Sequence, residues 1–260
     1  MNLPYIEKLP YQKAEAIFAH FADKAWTAFL DSASFHEEFG RFSFIAVDPF
    51  LKLCSKHGYV QLNHEAFEDN PFRLLQEKLK FYQMPRLSDY PPFQGGALGY
   101  FAYDLCHHLE KLPRNKDDMQ FPDMMIGFYD LCIAIDHLKK EIWLFSQGFP
   151  EIKKPKRLAR AVARAKWLKQ QLAANSQHKI SYLKPEALTA NFSQENYEKS
   201  IQRVKHYIYN GDIFQANIAQ RFCADLPEGF DTVSLYQDLR QLNSAPFSAY
   251  LNYQAIKILS

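Results

Sequence analysis

Side chains of the types that bind metals or catalyse reactions are scattered along this sequence. His107 and His108 are adjacent, so a strand would point them to opposite faces, and no His-Glu-x-x-His pattern accompanies them. Asp104 and Asp130 each follow an aromatic segment as Tyr-Asp, which is typical of a turn at a strand end. His36–Phe39, read "HEEF", is typical of a solvated loop. These residues predict neither a catalytic centre nor a metal site.

The glycine-rich stretch "PPFQGGALGYFAYDL" (91–105) raises the question of a phosphate-binding loop. It has neither the Gly-x-x-x-x-Gly-Lys-Ser/Thr pattern nor the Gly-x-Gly-x-x-Gly spacing that cradles phosphates. Gly95 and Gly96 instead predict a tight turn or a close backbone approach that leads into a buried strand.

Composition places the 260 residues among ordinary globular proteins, with 47% hydrophobic and 23% charged residues. A net charge of +2 gives the whole molecule no electrostatic reason to bind nucleic acid or a membrane. The sequence shows no signal peptide and no apolar run near the roughly 20 residues that span a bilayer, so a cytoplasmic protein is expected. The cysteines lack a C-x-x-C pair and predict reduced, buried thiols: Cys54, Cys106, Cys132 and Cys223.

Hydrophobic patterning predicts a strand-rich first half with one capped helix. Asn70 caps this helix, and Phe72, Leu75, Leu79 and Tyr82 lie on one face of it. A turn reading Leu-Lys-Lys joins the last two segments as a hairpin. The predicted strands are 25–32, 41–49, 50–54, 59–63, 124–137 and 141–146.

Residues 152–170 form a basic helix whose predicted apolar face is Leu158, Val162, Ala165 and Leu168. A basic helix admits a nucleic-acid or anionic-membrane interpretation, but the low net charge favours a solvated surface helix. Residues 173–190 have little periodicity and predict a linker.

A second group of elements follows that linker. Ser193 caps a helix with Tyr197, Ile201, Val204 and Ile208 on one face, and Gly211 ends it. Residues 214–222 alternate like a strand, with Phe214 and Phe222 facing inward. The next helix predicts an apolar side formed by Leu235, Leu239 and Leu242, before strands at 245–253 and 255–260.

Four segments in this order resemble the chorismate-utilising enzymes, and among them the aminodeoxychorismate synthase component I family (para-aminobenzoate synthase component I). They read "PFQGGALGYFAYDL", "PDMMIGFYDLCIAIDH", "GDIFQANIAQRF" and "NSAPFSAYL". Anthranilate synthase component I is the alternative. The resemblance implies an α/β (α+β) fold, anthranilate-synthase-like, with antiparallel β-sheets in a sandwich-like core and outer helices. Residues 1–172 would form the N-terminal domain, 173–190 the linker and 191–260 an incomplete chorismate-binding domain.

The resemblance also implies a reaction. Aminodeoxychorismate synthase aminates chorismate to 4-amino-4-deoxychorismate for para-aminobenzoate and folate biosynthesis, using Mg²⁺ held by glutamates and ammonia from a glutamine amidotransferase partner. The "SPERF" and "PIKGT" segments of the family, the latter with its nucleophilic lysine, would lie beyond Ser260. The expectation is therefore that this chain lacks most of the catalytic region and is inactive alone.

Some family members bind L-tryptophan in their N-terminal region. The resemblance carries this pocket over to Ser32, Phe39, Gly40, Arg41, Phe42, Pro246, Phe247 and Ser248. Serine hydroxyls and backbone amides suit a carboxylate and an ammonium, while Phe and Pro faces suit an indole. Two alternatives stay open: these are ordinary core and turn residues, or the chain is a non-catalytic tryptophan-binding regulatory module.

Overall fold

The computed structural model describes residues 3–114, 117–174 and 187–260. The described residues form antiparallel sheets, five α-helices and a short 3₁₀ helix at Tyr103–His108. The helices are α1 (Ala14–Ala19), α2 (Pro71–Phe81), α3 (Lys154–Ala173), α4 (Gln194–Tyr209) and α5 (Thr232–Leu242). The strands are β1 (Tyr5–Leu9), β2 (Thr27–Asp31), β3 (Phe42–Ala46), β4 (Leu51–Lys56), β5 (Tyr59–Leu62), β6 (Glu65–Glu68), β7 (Gly96–Phe101), β8 (Met124–Tyr129), β9 (Leu131–Asp136), β10 (Glu141–Ser146), β11 (Thr189–Ala190), β12 (Phe222–Cys223), β13 (Ser248–Asn252) and β14 (Lys257–Leu259).

The chain divides into two compact units, one of residues 1–178 with 236–260 and one of residues 179–235. The sequence-based division instead put 191–260 together. In the structure, residues 236–260 belong with the first unit because β13 pairs with β2 in one sheet. Most of the predicted linker, 175–186, lies outside the described residues.

The first unit contains two antiparallel sheets. The larger has the order β1-β10-β9-β3-β2-β13-β14, and the smaller has the order β6-β5-β4-β8-β7. β8 and β9 follow one another but belong to different sheets, and Asp130 alone separates them. The predicted strand 124–137 is thus two strands, whereas the hairpin of β9 and β10 is confirmed.

The two sheets pack face to face around a shared core, which confirms the predicted sandwich-like architecture. From the larger sheet come Ala28, Ala46, Cys132, Ala134, Phe145 and Leu251, and from the smaller Leu98 and Met125. The Tyr129 hydroxyl donates to the carbonyl of Trp26 at 2.8 Å. Small side chains in the larger sheet let the aromatic rings of this core fit between the layers.

Helices cover the outer faces of both sheets. Leu74 and Leu75 of α2 pack with Leu53 and Val60 on the smaller sheet. On the larger sheet, an aromatic cluster joins α1, β2, α5 and β13, with the Phe18 ring 4.7 Å from Phe29. The layers are therefore helix, sheet, sheet, helix.

The helix α2 confirms its predicted cap and most of its predicted face, since Phe72, Leu75 and Tyr82 pack on the smaller sheet. The Asn70 side chain accepts hydrogen bonds from the backbone N–H groups of Phe72 and Arg73. Leu79, however, is exposed, because the sheet contacts the helix through Leu74 and Leu75.

In α3 the buried face is Arg157, Ala161, Ala165 and Leu168, whereas Leu158 and Val162 are exposed, contrary to the prediction. The alanines let the helix lie close to β1 and β10, and this close approach sets its rotation.

In α5 the predicted apolar side is likewise wrong. Leu239 and Leu242 are exposed, because Tyr236 and Arg240 turn instead toward Asp31.

His107 and His108 lie in the 3₁₀ helix. The prediction of reduced, buried thiols is right in part. Cysteines of the described chain are free thiols as predicted, yet Cys223 is exposed, while Cys132 is buried.

The second unit contains β11, α4 and β12. Ser193 caps α4 by accepting from the Asn196 N–H, and Gly211 has a φ of +80° just after the helix, so both predicted boundaries are confirmed. The predicted strand at 214–222 is wrong apart from its end. Phe222 and Cys223 pair with β11, the Arg221 carbonyl accepts from the Asn191 N–H at 3.1 Å, and Phe214 is exposed. A strand needs an adjacent strand to pair its backbone groups, and alternation alone does not supply one.

Candidate functional site

A pocket of about 420 Å³ opens at the ends of three adjacent strands of the larger sheet, where β2, β3 and β13 meet the loop at 33–41. Its lining is predominantly apolar and aromatic, with a few carboxylate, guanidinium and hydroxyl groups. The lining residues are Leu30, Asp31, Ser32, Glu38, Phe39, Arg41, Phe42, Phe44, Pro92, Pro246, Phe247, Ser248 and Ala249. This volume and this mixture are typical of a small-molecule site.

Seven of the eight residues that the resemblance assigned to a tryptophan site line this one pocket. These residues form two groups, one within 32–42 and one at 246–248, which are more than 200 positions apart in sequence. The pairing of Ser248 with Asp31 across β13 and β2 brings the two groups together. Gly40 is not in the lining but shapes it. A Cβ at Gly40 would lie 2.2 Å from the Ser34 carbonyl oxygen, so the loop closes this tightly only with glycine.

Ser32 holds the backbone at the bottom of the pocket through hydrogen bonds. Its hydroxyl lies 2.6 Å from the carbonyl of Phe42 and 3.2 Å from that of Pro246, and its N–H donates to the Ser43 Oγ. A hydroxyl has one proton to donate, and two carbonyl oxygens compete for it here. The Ser32 oxygen is therefore suited to accept from a ligand N–H, such as an ammonium, rather than to donate to a carboxylate.

Arg41 is held at the pocket by Asp136. Its Nε donates to both carboxylate oxygens, at 3.1 and 3.2 Å, and its Nη2 donates at 2.7 Å. Burial would raise the pKa of Asp136, but Arg41 and the backbone N–H groups of Leu138 and Lys139 hold that pKa below its usual value. The guanidinium also lies 4.7 Å from the Phe42 ring centroid. These contacts fix the position of a cation at the pocket.

Aromatic rings lie at the mouth of the pocket and along one of its walls. Phe39 and Phe247 meet edge to face with centroids 6.4 Å apart, and they are 52% and 73% exposed. Behind them, Phe42 and Phe44 stack at 6.1 Å. Rings so exposed gain contact area when a flat apolar group enters between them.

A buried polar network supports β2 on the side of the helices. The fully buried Asp31 carboxylate accepts from Arg240, from the Tyr236 hydroxyl at 3.3 Å and from the Ser43 hydroxyl at 3.3 Å. His137 Nε2 lies 2.7 Å from the Ser43 Oγ. Burial lowers the pKa of His137, so the ring is neutral at pH 7.

Sequence reasoning missed six lining residues. Phe44 could have been found from Phe42 by the two-residue period of a strand, and Asp31 by its adjacency to Ser32. Glu38 lay in the segment that was interpreted as a solvated loop, and Pro92 in the glycine-rich stretch. Leu30 and Ala249 carry no chemical signal in the sequence.

Within the described part of the chain, no group of three or more His, Cys, Asp or Glu residues could hold a metal ion. The described helices also contain none long and apolar enough to cross a membrane. The residues described here do not provide a site for the Mg²⁺ that the resemblance implies.

Comparison with known proteins agrees with the fold. Residues 27–260 match the family model for chorismate binding enzymes. The aminodeoxychorismate synthase component 1 of Klebsiella aerogenes is 31% identical, over 100% of this chain and 56% of that protein. The anthranilate synthase component 1 of Acetivibrio thermocellus is 30% identical, over 94% of this chain and 52% of that protein.

A solved structure gives the same fold. The crystal structure of anthranilate synthase component I from Streptococcus pneumoniae TIGR4 superposes with a TM-score of 0.70 at 24% identity, over 84% of this chain and 49% of that one. The chain spans about half the length of the curated relatives it matches. With the family model matching nearly all of its residues, this chain belongs to the chorismate binding enzyme family.

Proposed function

We propose that this chain serves as component 1 of an aminodeoxychorismate synthase, which aminates chorismate to 4-amino-4-deoxychorismate for para-aminobenzoate and folate synthesis. The observation that carries the proposal is the match to the Klebsiella aerogenes component 1, which extends over the whole chain. Anthranilate synthase component 1 is the second candidate, because the Acetivibrio thermocellus relative is nearly as similar.

The complete activity is proposed for a protein of the relatives' full length, since this chain spans about half of it. A glutamine amidotransferase that supplies ammonia is part of the same proposal, and the relatives' names, component 1, support a companion component. Mg²⁺ is also part of it. The described residues provide no ligand set for this ion.

Disruption of the gene in its own organism tests this proposal. The expected strain requires para-aminobenzoate for growth, and a plasmid copy of the gene relieves the requirement. A tryptophan requirement in its place would transfer the chain to anthranilate synthase. Growth without either supplement would contradict both assignments.

The pocket between β2, β3 and β13 supports a second proposal, that this region binds L-tryptophan. Glu38 and the Ser32 oxygen are suited to accept from the ammonium of an amino acid. The hydrogen bonds from Arg41 to Asp136 use Nε and Nη2, which leaves Nη1 to face a carboxylate. The rings of Phe42 and Phe44 offer an apolar wall to an indole.

Calorimetry on the purified chain tests the pocket separately from the enzyme. L-tryptophan is expected to bind with one site per chain, and D-tryptophan more weakly, because inversion at Cα moves the ammonium away from its acceptors. If L-tryptophan gives no heat of binding at any temperature used, the pocket proposal fails, and the gene-disruption result still decides the enzyme.

A further inference from the structure

A second cavity, of about 510 Å³, lies between the C-terminal end of α2 and the turn that leads into β7. All of its lining belongs to the first unit, and it shares only Pro92 with the pocket between β2, β3 and β13. The lining contains four glutamines, one lysine, one arginine and no acidic residue. The volume is in the range of small-molecule sites, and neither the family resemblance nor the proposed function uses these residues.

The buried side chain of Gln94 holds one wall of this cavity in place. Its amide nitrogen donates to the carbonyls of Leu87 at 2.7 Å and Pro91 at 3.0 Å, and its Oε1 accepts from the Leu87 N–H at 3.1 Å. Both amide protons are therefore used inside the protein. Because these bonds fix the segment from Leu87 to Gln94, the cavity is already formed without a ligand.

Gln147 brings a hydrogen-bond acceptor without a partner to the same cavity. Its side chain is 7% exposed, and its Nε2 donates to the Gln94 carbonyl at 2.9 Å. Since only the amide nitrogen can donate to a carbonyl, this bond settles which end of the amide is the oxygen. In the part of the chain that the structure describes, no group donates to Gln147 Oε1. A hydroxyl on a ligand in the cavity would supply the missing donor.

The glycine-rich turn before β7 makes room for this amide. A Cβ at Gly95 would lie 2.7 Å from the Gln147 Nε2 and 3.0 Å from its Oε1. Gly95 also has a φ of +112°, which side chains other than that of glycine rarely allow. Any other residue at this position would displace the Gln147 amide, so the turn serves to place a polar group in the cavity.

Two cations lie at the mouth of the cavity. Lys80 and Arg86 are exposed, and among residues 3–114, 117–174 and 187–260 neither of them has an ion-pair partner. Lys80 lies in the last turn of α2, where a cation also stabilises the helix dipole. Arg86 lies beyond the end of α2, so the helix does not explain it. Because the lining has no acidic residue, the electrostatic potential at the mouth of the cavity favours an anion.

We propose that this cavity binds a small hydroxylated organic anion. The carboxylate or phosphate group of the ligand pairs with Arg86 and Lys80 at the mouth, and a hydroxyl group donates to Gln147 Oε1 deeper inside. Tyr82, whose ring packs edge to face on Phe50 with centroids 4.8 Å apart, forms a fixed wall beside the carbon skeleton of the ligand. The inference goes beyond the proposed function and does not depend on it.

The test is a nuclear magnetic resonance titration of the ¹⁵N-labelled chain, which also detects weak binding. The side-chain amide signal of Gln147 is identified by its absence in Gln147→Met. Glycerol 3-phosphate and L-malate, a hydroxylated phosphate and a hydroxylated carboxylate, are the probes, and glycerol is the neutral control. The signal is expected to shift with at least one of the two anions and not with glycerol. The anion with the lower Kd identifies which charged group the site prefers.

Exposed cations at and away from the cavity provide matched variants. Arg86→Gln and Lys80→Gln are each expected to raise the Kd of the preferred anion at least about threefold. Arg114→Gln and Lys166→Gln, which remove the same charges elsewhere on the surface, are expected to leave Kd within about 1.5-fold. Because all four side chains are exposed, circular dichroism should show an unchanged fold.

Several outcomes would overturn the inference. If the Gln147 signal shifts with neither anion, or shifts as much with glycerol, the cavity has no site of this kind. Equal Kd values for Arg86→Gln and Arg114→Gln would reduce the binding to an adventitious ion only. The para-aminobenzoate requirement and the L-tryptophan titration do not involve Arg86, Lys80 or Gln147, so failure here and failure of the proposed function can be distinguished.

Discussion

Replacement of Arg240 by methionine should destabilise the first unit strongly, because it leaves a buried carboxylate without its cationic partner. The Asp31 side chain is fully buried, and Arg240, itself 18% exposed, donates to both of its oxygens. Arg240 also lies 3.5 Å from Glu15 on α1. One guanidinium therefore ties β2, α1 and α5 together at the base of the pocket.

The size of the effect follows from what remains after the substitution. Removal of one partner from a buried ion pair costs about 3–5 kcal/mol. Tyr236 and Ser43 still donate to Asp31 in the variant, so the lower end, about 3 kcal/mol, is expected. The additional substitution Asp31→Asn removes the buried charge, and the double variant should recover about 1–2 kcal/mol relative to Arg240→Met alone.

Urea unfolding at pH 7, followed by tryptophan fluorescence, measures this loss. The three tryptophans, Trp26, Trp143 and Trp167, all lie in the first unit, so the signal reports the unit that contains the ion pair. Arg73→Met is the control, because Arg73 pairs with Asp69 and Glu77 on the exposed surface of α2, where solvent screens an ion pair and leaves it little effect on stability. If Arg240→Met costs no more than the Arg73 control, or if the double variant is less stable than Arg240→Met, the reasoning is refuted.

Three more predictions concern single positions. Burial lowers the pKa of His137 in the folded chain, so on acidification the unfolded chain binds a proton at this residue before the folded chain does. The free energy of unfolding should therefore fall as the pH drops below about 6.5. His137→Gln should flatten that slope in urea titrations between pH 7 and 5, and an unchanged slope would rule this group out. Gly99→Ala would place a Cβ 1.9 Å from the Met125 carbonyl oxygen, and it should cost at least about 2 kcal/mol in urea unfolding; a cost under about 0.5 kcal/mol would show that β7 and β8 can separate freely. Phe247→Ala should weaken L-tryptophan binding about tenfold in calorimetry, whereas Phe101→Ala, equally an exposed ring, should not; equal affinities would remove Phe247 from the pocket.

Local chemistry in the sequence was sufficient for the helix ends that carry a capping side chain or a terminating glycine. Asn70 and Ser193 cap their helices, and Gly211 ends one, because the signals act within a few residues of the backbone groups they satisfy. The buried faces of the helices were harder to predict. Leu158 was assigned to the core because it is apolar, yet Ala161 is what lets α3 approach the sheet.

The site depended on contacts that no local pattern contains. Pairing of β13 with β2 joins residues more than 200 positions apart, and it is this pairing that brings Ser248 beside Asp31. The resemblance located most of the pocket lining, but not the role of Ser32, whose hydroxyl is committed to backbone carbonyls. Tryptophan binding itself stays a prediction.

The single residue between β8 and β9 makes the fold intolerant of length changes at that point. Every residue of both strands is buried, and Asp130 is anchored by Arg164 of α3. One inserted or deleted residue would either pull that anchor away or slide a neighbouring strand by one position, which exchanges the two faces of the strand. Sequence alignments across the family should therefore show gaps in the outer loops and an unbroken count through 124–136.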